Sequence, residues 1–159
     1  MSARFEVDGQ GRLIAWKKAN LFDYQRGGEH VRHVLVKLAI PASGVRVVCG
    51  VRGVRFESVD AFVLYLKTLA DTPVVGKCRA ERAEVLDIRT MKGTGKARAY
   101  SDYQTYDEGR AAFVGLRYVR GQPAIPNGFE FAAHRECAPG IHFFLTEQEA
   151  RDYGIDQGV

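Results

Sequence analysis

Apolar and polar residues alternate with a period of two through most of this chain and recur at helical spacing in only two places, which restricts the fold more than any other feature. From Arg12 to Lys18, Leu13, Ala15 and Lys17 share one face and Ile14, Trp16 and Lys18 the other. His33 to Ile40 is dense in β-branched residues and stops at Pro41, which cannot donate to a strand ladder. Arg82 to Ile88 sets Glu84, Leu86 and Ile88 against Ala83, Val85 and Asp87. Ala111 to Val119, Gly128 to Ala132 and Gly140 to Leu145 complete the expected strands, the last with Ile141, Phe143 and Leu145 on one face.

Ser58 is placed to cap a helix from Val59 to about Ala70, with Val59, Phe62, Val63, Leu66 and Leu69 at three- and four-residue spacing. Ala61, Leu64 and Tyr65 widen its apolar side, so the helix is expected to be largely buried or to dock on a second copy. Thr146-Glu147-Gln148-Glu149 reads as a capping box opening a second helix, closed by Gly154. The helices separate groups of strands without strict strand–helix alternation. The expected class is α+β: a single domain with a mixed or mainly antiparallel sheet and two principal helices.

The chain has 159 residues, 46% of them hydrophobic and 26% charged, which excludes a disordered chain and suits one domain. The net charge of +4 suits a polyanionic or phosphate-bearing partner but is also ordinary for a soluble domain. Its basic features are interrupted: Arg46, Arg52 and Arg55 in one loop region, then Lys77, Arg79 and Arg82. Cys49, Cys78 and Cys137 form no CxxC pair, and the start does not resemble a secretory leader, so a reducing cytoplasm is expected. No apolar run approaches the roughly 20 residues that span a bilayer, so no membrane partner is expected. Lys92-Gly93-Thr94-Gly95-Lys96 reads as a tight turn.

The densest cluster of chemistry-bearing residues is His134-Arg135-Glu136-Cys137-Ala138-Pro139-Gly140-Ile141-His142-Phe143-Phe144, at a strand-to-helix junction. Amides at the start of the following helix can receive an anion such as phosphate. The plain alternative is that Phe143 and Phe144 are core and His142 is a satisfied strand histidine. His134, Cys137 and His142, with Cys78 as a fourth ligand, match no common zinc spacing, and no metal or cofactor is expected. A Cys137/His142 nucleophile pair lacks a third, orienting group, so no residue is assigned a catalytic role. Arg79 and Arg82 could clamp a phosphate bidentately or belong to a solvated loop. Tyr100, Tyr103 and Tyr106, with Asp102 and Asp107, could stack on a ring or cover an edge of the core. Trp16-Lys17-Lys18 offers an aromatic and two cations, against ordinary strand packing of the lone tryptophan. The familiar phosphate-loop and dinucleotide signatures are absent, and nucleic acid is not the expected partner.

Three stretches together resemble a known family: Leu35-Val36-Lys37-Leu38-Ala39-Ile40-Pro41-Ala42; Gly76-Lys77-Cys78-Arg79-Ala80 with Ala83-Glu84-Val85-Leu86; and Glu136-Cys137-Ala138-Pro139-Gly140-Ile141-His142-Phe143-Phe144-Leu145-Thr146 with Ala150 and Tyr153. The family is a small domain of unknown function met in tailed-phage and bacterial proteins, sometimes behind pentapeptide repeats. The resemblance covers most of the chain except about 45–75, where a helical insertion is expected to form a lid or an interface. A second resemblance, on Gly140-Ile141-His142-Phe143 with Ala150 and Tyr153, is to the ADP-ribosyltransferase fold. It implies a nucleotide-type pocket, with no counterpart of the later strand that carries that family's catalytic glutamate.

The expected function is therefore a small-molecule binding protein of phage type that sequesters a nucleotide-derived host immune signal, ADP-ribose-like or a cyclic nucleotide. Its expected site residues are Trp16, Lys18, Arg79, Arg82, Tyr100, Tyr103, Arg135, Glu136 and His142. The arginines would neutralise phosphates, His142 would hydrogen-bond the ligand and Trp16 or a tyrosine would stack a base. One alternative is an enzyme acting on such a nucleotide through His142, Cys137 and Glu136. The other is an assembly module, with the Val59–Ala70 helix joining copies into a homo-oligomer.

Overall fold

The computed structural model describes residues 5–22, 31–49, 53–69, 76–90, 98–100, 105–107, 112–114, 116–126, 128, 129, 131 and 140–153. In chain order these give β1 (Glu6–Val7), β2 (Leu13–Phe22), β3 (Val31–Ile40), β4 (Val47–Cys49), β5 (Val54–Phe56), α1 (Val59–Thr68), β6 (Cys78–Ala80), β7 (Ala83–Thr90), β8 (Arg98–Tyr100), β9 (Thr105–Asp107), β10 (Ala112–Val114), β11 (Arg117–Val119), β12 (Pro123–Ala124), β13 (Ile141–Phe143) and α2 (Glu147–Asp152). The larger sheet has the order β11-β8-β2-β3-β7-β12, with β1 also on β2; the smaller has the order β13-β6-β4-β5; β9 and β10 pair with each other. Every pairing between these strands is antiparallel. The fold is α+β, as the sequence pattern implies.

Among the described residues, the sheets meet at a backbone bridge. The Trp16 amide donates to the Phe144 carbonyl at 2.9 Å, and the Phe144 amide donates to the Trp16 carbonyl at 2.7 Å. One edge of β2 thus takes three partners in turn: β1 at Leu13 and Ile14, Phe144 at Trp16, and β8 at Asn20.

Because side chains alternate across a strand, the bridge gives the two sheets a shared inner face and a shared outer face. Leu13, Ala15 and Ala19 of β2 and Val34, Val36, Leu38 and Ile40 of β3 point inward, against Val47 and Cys49 of β4, Cys78 and Ala80 of β6, and Ile141 and Phe143 of β13. α1 closes this core with Val59, Phe62 and Leu66, while Phe56 of β5 stacks between Phe62 and Tyr65 at 5.2 and 5.3 Å. Burying a phenylalanine such as Phe62 completely is worth about 1.5–3 kcal/mol. On the outer face α2 sets Ala150 against Leu35, Phe144 and Trp16.

Several local expectations change. Ala111 to Val119 is not one strand: β10 pairs with β9 and β11 with β8. The described residues of 128–132 lie in no strand; Phe129 and Phe131 pack their rings around an arginine instead. The even alternation of Arg82 to Ile88 is broken by a bulge, since Lys37 pairs with Asp87 but Leu38 pairs with Val85. The extra residue moves Ile88 to the inner face beside Ala83 and Val85, where it is fully buried. α1 stops at Thr68 and leaves Leu64 66% exposed, so it is a half-buried helix rather than a largely buried one. Arg46 and Arg55 belong not to a loop but to the β4–β5 hairpin or its entry, and the 45–75 stretch supplies two strands of the smaller sheet as well as α1. Lys92–Lys96 lies outside the described residues; the strands it joins, β7 and β8, are separated by β3 and β2.

Candidate functional site

The outer face of the smaller sheet carries a cationic row fixed by register. Arg55 pairs with Val48, Val48 with Arg79, and Arg79 with His142. Their strand neighbours Cys49, Cys78, Ala80, Ile141 and Phe143 are in the inner core, so these four side chains leave the opposite side. Val48 is fully buried and Arg79 is 2% exposed; His142 is half-buried and Arg55 exposed. A guanidinium withdrawn from water requires partners, and Arg79 and His142 are both engaged within the fold.

Phe129 and Phe131 lie over this face. The Arg46 guanidinium sits between them, 5.2 Å from one ring centre and 5.1 Å from the other, and Arg55 sits 5.2 Å from Phe131. Such cation–aromatic contacts suit the planar, weakly hydrated guanidinium. Glu81 fixes Arg46 from the turn after β6: Arg46 Nη2 donates to Glu81 Oε2 at 2.9 Å, and the Arg46 amide donates to Oε1 at 3.1 Å. The Arg46 guanidinium holds the Glu81 carboxyl below its usual range. Gly140 admits the phenylalanine: a Cβ there would lie 3.0 Å from Phe129 Cδ1 and 3.4 Å from Arg79 Cβ.

The same face continues across the bridge. His142 is two residues from Phe144, and Lys18 is two residues from Trp16. The strands are antiparallel, so both positions lie towards the same end on the outer side. Lys18 Nζ donates to the Tyr153 carbonyl at 2.7 Å, and Lys77 Nζ donates to the Tyr153 hydroxyl at 3.3 Å, 5.3 Å from the ring centre. The Tyr153 ring packs 5.2 Å from Phe144. Burial pulls the Lys18 ammonium below its usual range, and Asp152 opposes that shift.

Of the residues singled out from sequence, Trp16, Lys18, Arg79 and His142 thus share one continuous face. Trp16 is engaged there by α2 and by its cross-strand partner Lys37, whose Nζ lies 5.4 Å from the ring centre. Arg82 is exposed in the turn before β7, away from the buried Arg79 of β6. Tyr100 lies on β8, its backbone paired with Asn20 and Arg117. Tyr103, His134, Arg135, Glu136 and Cys137 lie outside the described residues.

The structure bears on two further readings of this region, the metal set already rejected from the sequence and the anion site expected at the start of α2. Cys78 cannot join His142 on a common metal, because Cys78 faces the inner core and His142 the outer face. Cys78 instead opposes Cys49 across β6 and β4 as two free, buried thiols, and burial pushes the Cys78 thiol well up. The start of α2 is not an open anion site. The helix has six residues, Thr146 Oγ1 accepts from the Glu149 amide at 3.2 Å, and the first turn carries Glu147 and Glu149. These carboxylates already satisfy the helix's positive end.

Sequence reasoning missed the roles of Arg46, Arg55 and Lys77 beside the predicted residues. Their strand parity relative to Val47, Phe56 and Cys78 was the available signal. It also missed Lys17, which is 5% exposed on the inner face with its Nζ 5.6 Å from the centre of the Tyr118 ring. A model of a family of unknown function, DUF5758, matches residues 3–150. The chain belongs to that family. The match takes in the whole cationic row and Trp16, with Tyr153 just beyond it. No curated protein and no solved structure matches the chain. Among the described residues, no helix is long and apolar enough to cross a membrane.

Proposed function

We propose that this member of the family is a binding module for a phosphate-bearing small molecule of nucleotide type, which it holds rather than converts. One observation carries the reading: Arg79 and His142, far apart in sequence, are direct cross-strand partners on a face that also presents Arg55, Lys18 and Lys77. Guanidinium and imidazole N–H donors suit phosphate oxygens, and a partly water-excluded setting strengthens each contact. Aromatic rings on the same face supply a surface for a planar base. In the phage setting suggested by the sequence resemblance, the ligand would be a nucleotide signal that the protein withdraws by sequestering it.

Thermal-shift measurements with AMP, ADP-ribose and cyclic nucleotides test the reading. A ligand at 100 times its dissociation constant adds about 2.7 kcal/mol of stability, and Arg79→Met removes that gain. No shift with any of these at millimolar concentration overturns the proposal. Denaturing the complex and weighing the released ligand separates holding from conversion: an intact ligand supports the binding module, a changed one the enzyme alternative.

A further inference from the structure

The inner face of the smaller sheet carries two thiols in register. Cys49 of β4 and Cys78 of β6 are direct cross-strand partners, and Val47 opposite Ala80 is the next inward pair on the same strands. Both cysteines are free and buried in the core. Opposed residues of an antiparallel pair hold their Cα atoms about 4.5 or 5.5 Å apart. Both separations fall inside the roughly 4.4–6.8 Å that a disulfide spans. The two side chains leave their strands on the same side, so neither strand has to turn for the sulfurs to meet. The Cys49 thiol already acts on that of Cys78, which also donates to the Gly76 carbonyl at 3.7 Å.

The burial that aligns the pair also closes it to reagents. Cys78 stands between Cys49 and Phe143 in the register of three strands. Burial pushes its thiol well up, away from the thiolate that disulfide exchange requires. Neither thiol offers surface to an oxidant while the sheet is closed. In the unfolded chain both are exposed and react as ordinary thiols. The state of the pair is therefore decided before the core closes.

We infer that Cys49 and Cys78 are a conditional cross-strand disulfide: the bridge forms when the chain folds in the presence of a small disulfide oxidant such as glutathione disulfide, and the closed core then preserves whichever state the chain folded in. One cysteine thiolate attacks glutathione disulfide, giving a mixed disulfide and one glutathione thiolate. The other cysteine thiolate attacks the cysteine sulfur of the mixed disulfide and releases the second glutathione. The cysteines lose two electrons, the oxidant is reduced to two glutathiones, and the two thiol protons pass to these through solvent. The bridge closes a loop of about 30 residues that holds β5 and α1, so it tethers the helix side of the core to the sheet. The pair stands apart from the cationic face, and the inference is independent of any ligand there.

Refolding the full-length Cys137→Ser chain from denaturant with reduced or with oxidised glutathione tests it, because Cys49 and Cys78 are then the remaining cysteines. Refolded with oxidised glutathione, the chain should be lighter by two hydrogens and yield a linked Cys49–Cys78 peptide. It should melt roughly 5–10 °C above the chain refolded reduced. The folded reduced chain should react with iodoacetamide at least about a hundredfold more slowly than the denatured one. The wild type should give the same linked peptide, and it carries the test if Cys137→Ser does not fold. Free thiols or glutathione adducts at Cys49 and Cys78 after refolding with oxidised glutathione overturn the inference. So does a bridged chain that lacks a cooperative transition, or a wild-type bridge to Cys137 in place of the pair. Alkylation as fast in the folded chain as in the denatured one overturns the preservation of the state by the core.

Discussion

Arg79 and His142 are register partners on β6 and β13, and both side chains leave the smaller sheet on the side away from the main core. The inner positions on either side of them are Cys78 opposite Phe143 and Ala80 opposite Ile141, all buried. Apolar packing on one face thereby holds two basic groups together on the other. Strand pairing supplies the alignment that a loop-based arginine pair would have to achieve at a cost in chain entropy.

That alignment depends on Gly140. Its φ of +141° lies where side chains rarely go, and a Cβ would meet Phe129 Cδ1 at 3.0 Å, the Ala80 carbonyl at 3.4 Å and Arg79 Cβ at 3.4 Å. Gly140→Ala should destabilise the fold by about 1–3 kcal/mol through combined backbone strain and overpacking. Denaturant unfolding measures this. A variant as stable as the wild type would show that Phe129 can withdraw freely from the outer face.

What could be read from the sequence was mostly local. The Ser58 and Thr146 caps, the inward stripe of Val59, Phe62 and Leu66, and the inward positions of Ile141, Phe143 and Leu145 all follow from spacing and appear in the structure. Ile88 was assigned to the wrong face because a bulge is a property of the pairing with β3 and leaves no mark on β7 alone. Lys17 alternates with Leu13 and Ala15, but its charge argued against the burial that the parity implied. Arg79 and His142 were each visible as basic groups. Their pairing was not, because register between strands 63 residues apart is decided by the whole sheet.

The helix α1 offers a direct contrast between core and surface. Phe62 is fully buried against Phe56, whereas Leu64 is 66% exposed. Phe62→Ala should cost about 3–5 kcal/mol, the range for emptying an aromatic site in a packed core. Leu64→Ala should change stability by less than about 0.5 kcal/mol. Charged replacements of Phe62 and Leu66 should unfold the chain, because both side chains belong to the core. Equilibrium unfolding of each variant checks this; a stable, monomeric charged variant of a wild-type oligomer would instead place α1 in an interface between copies.

Arg46 and Glu81 tie the entry of β4 to the turn after β6. Their side chains are 38% and 34% exposed, so a double-mutant cycle should return only about 0.2–1 kcal/mol. The Glu81 carboxyl is held below its ordinary value of 4.5 by Arg46. Its contribution is therefore present above that ordinary value and is lost as pH falls through the lower, folded value. Comparing wild type with Glu81→Gln, the stability gap should be constant near neutrality and narrow in acid. A gap that widens on acidification would contradict the ion pair.

Glu149 behaves in the opposite sense. It lies in the first turn of α2, where Thr146 Oγ1 donates to its Oε1 at 2.9 Å, and burial raises its carboxyl above the ordinary 4.5. The folded chain therefore holds this proton more tightly than the unfolded chain does. The associated stability is complete below 4.5 and is lost as pH rises through the folded value. Glu149→Gln keeps an oxygen to accept from Thr146 and removes the half-buried charge, though it also gives up a favourable carboxylate at the helix N-terminus. Both effects need the ionised carboxyl and so enter together as it titrates, and the raised value shows that burial is the larger. Relative to wild type, the variant should therefore gain stability as pH rises from about 4.5 through the folded value and hold level above it, by roughly 1.4 kcal/mol for each unit by which the wild-type carboxyl is shifted. Melting temperatures of both proteins across that range check the sign. A difference that stays flat from acid to neutral pH would mean that Glu149 titrates in the fold as it does in water.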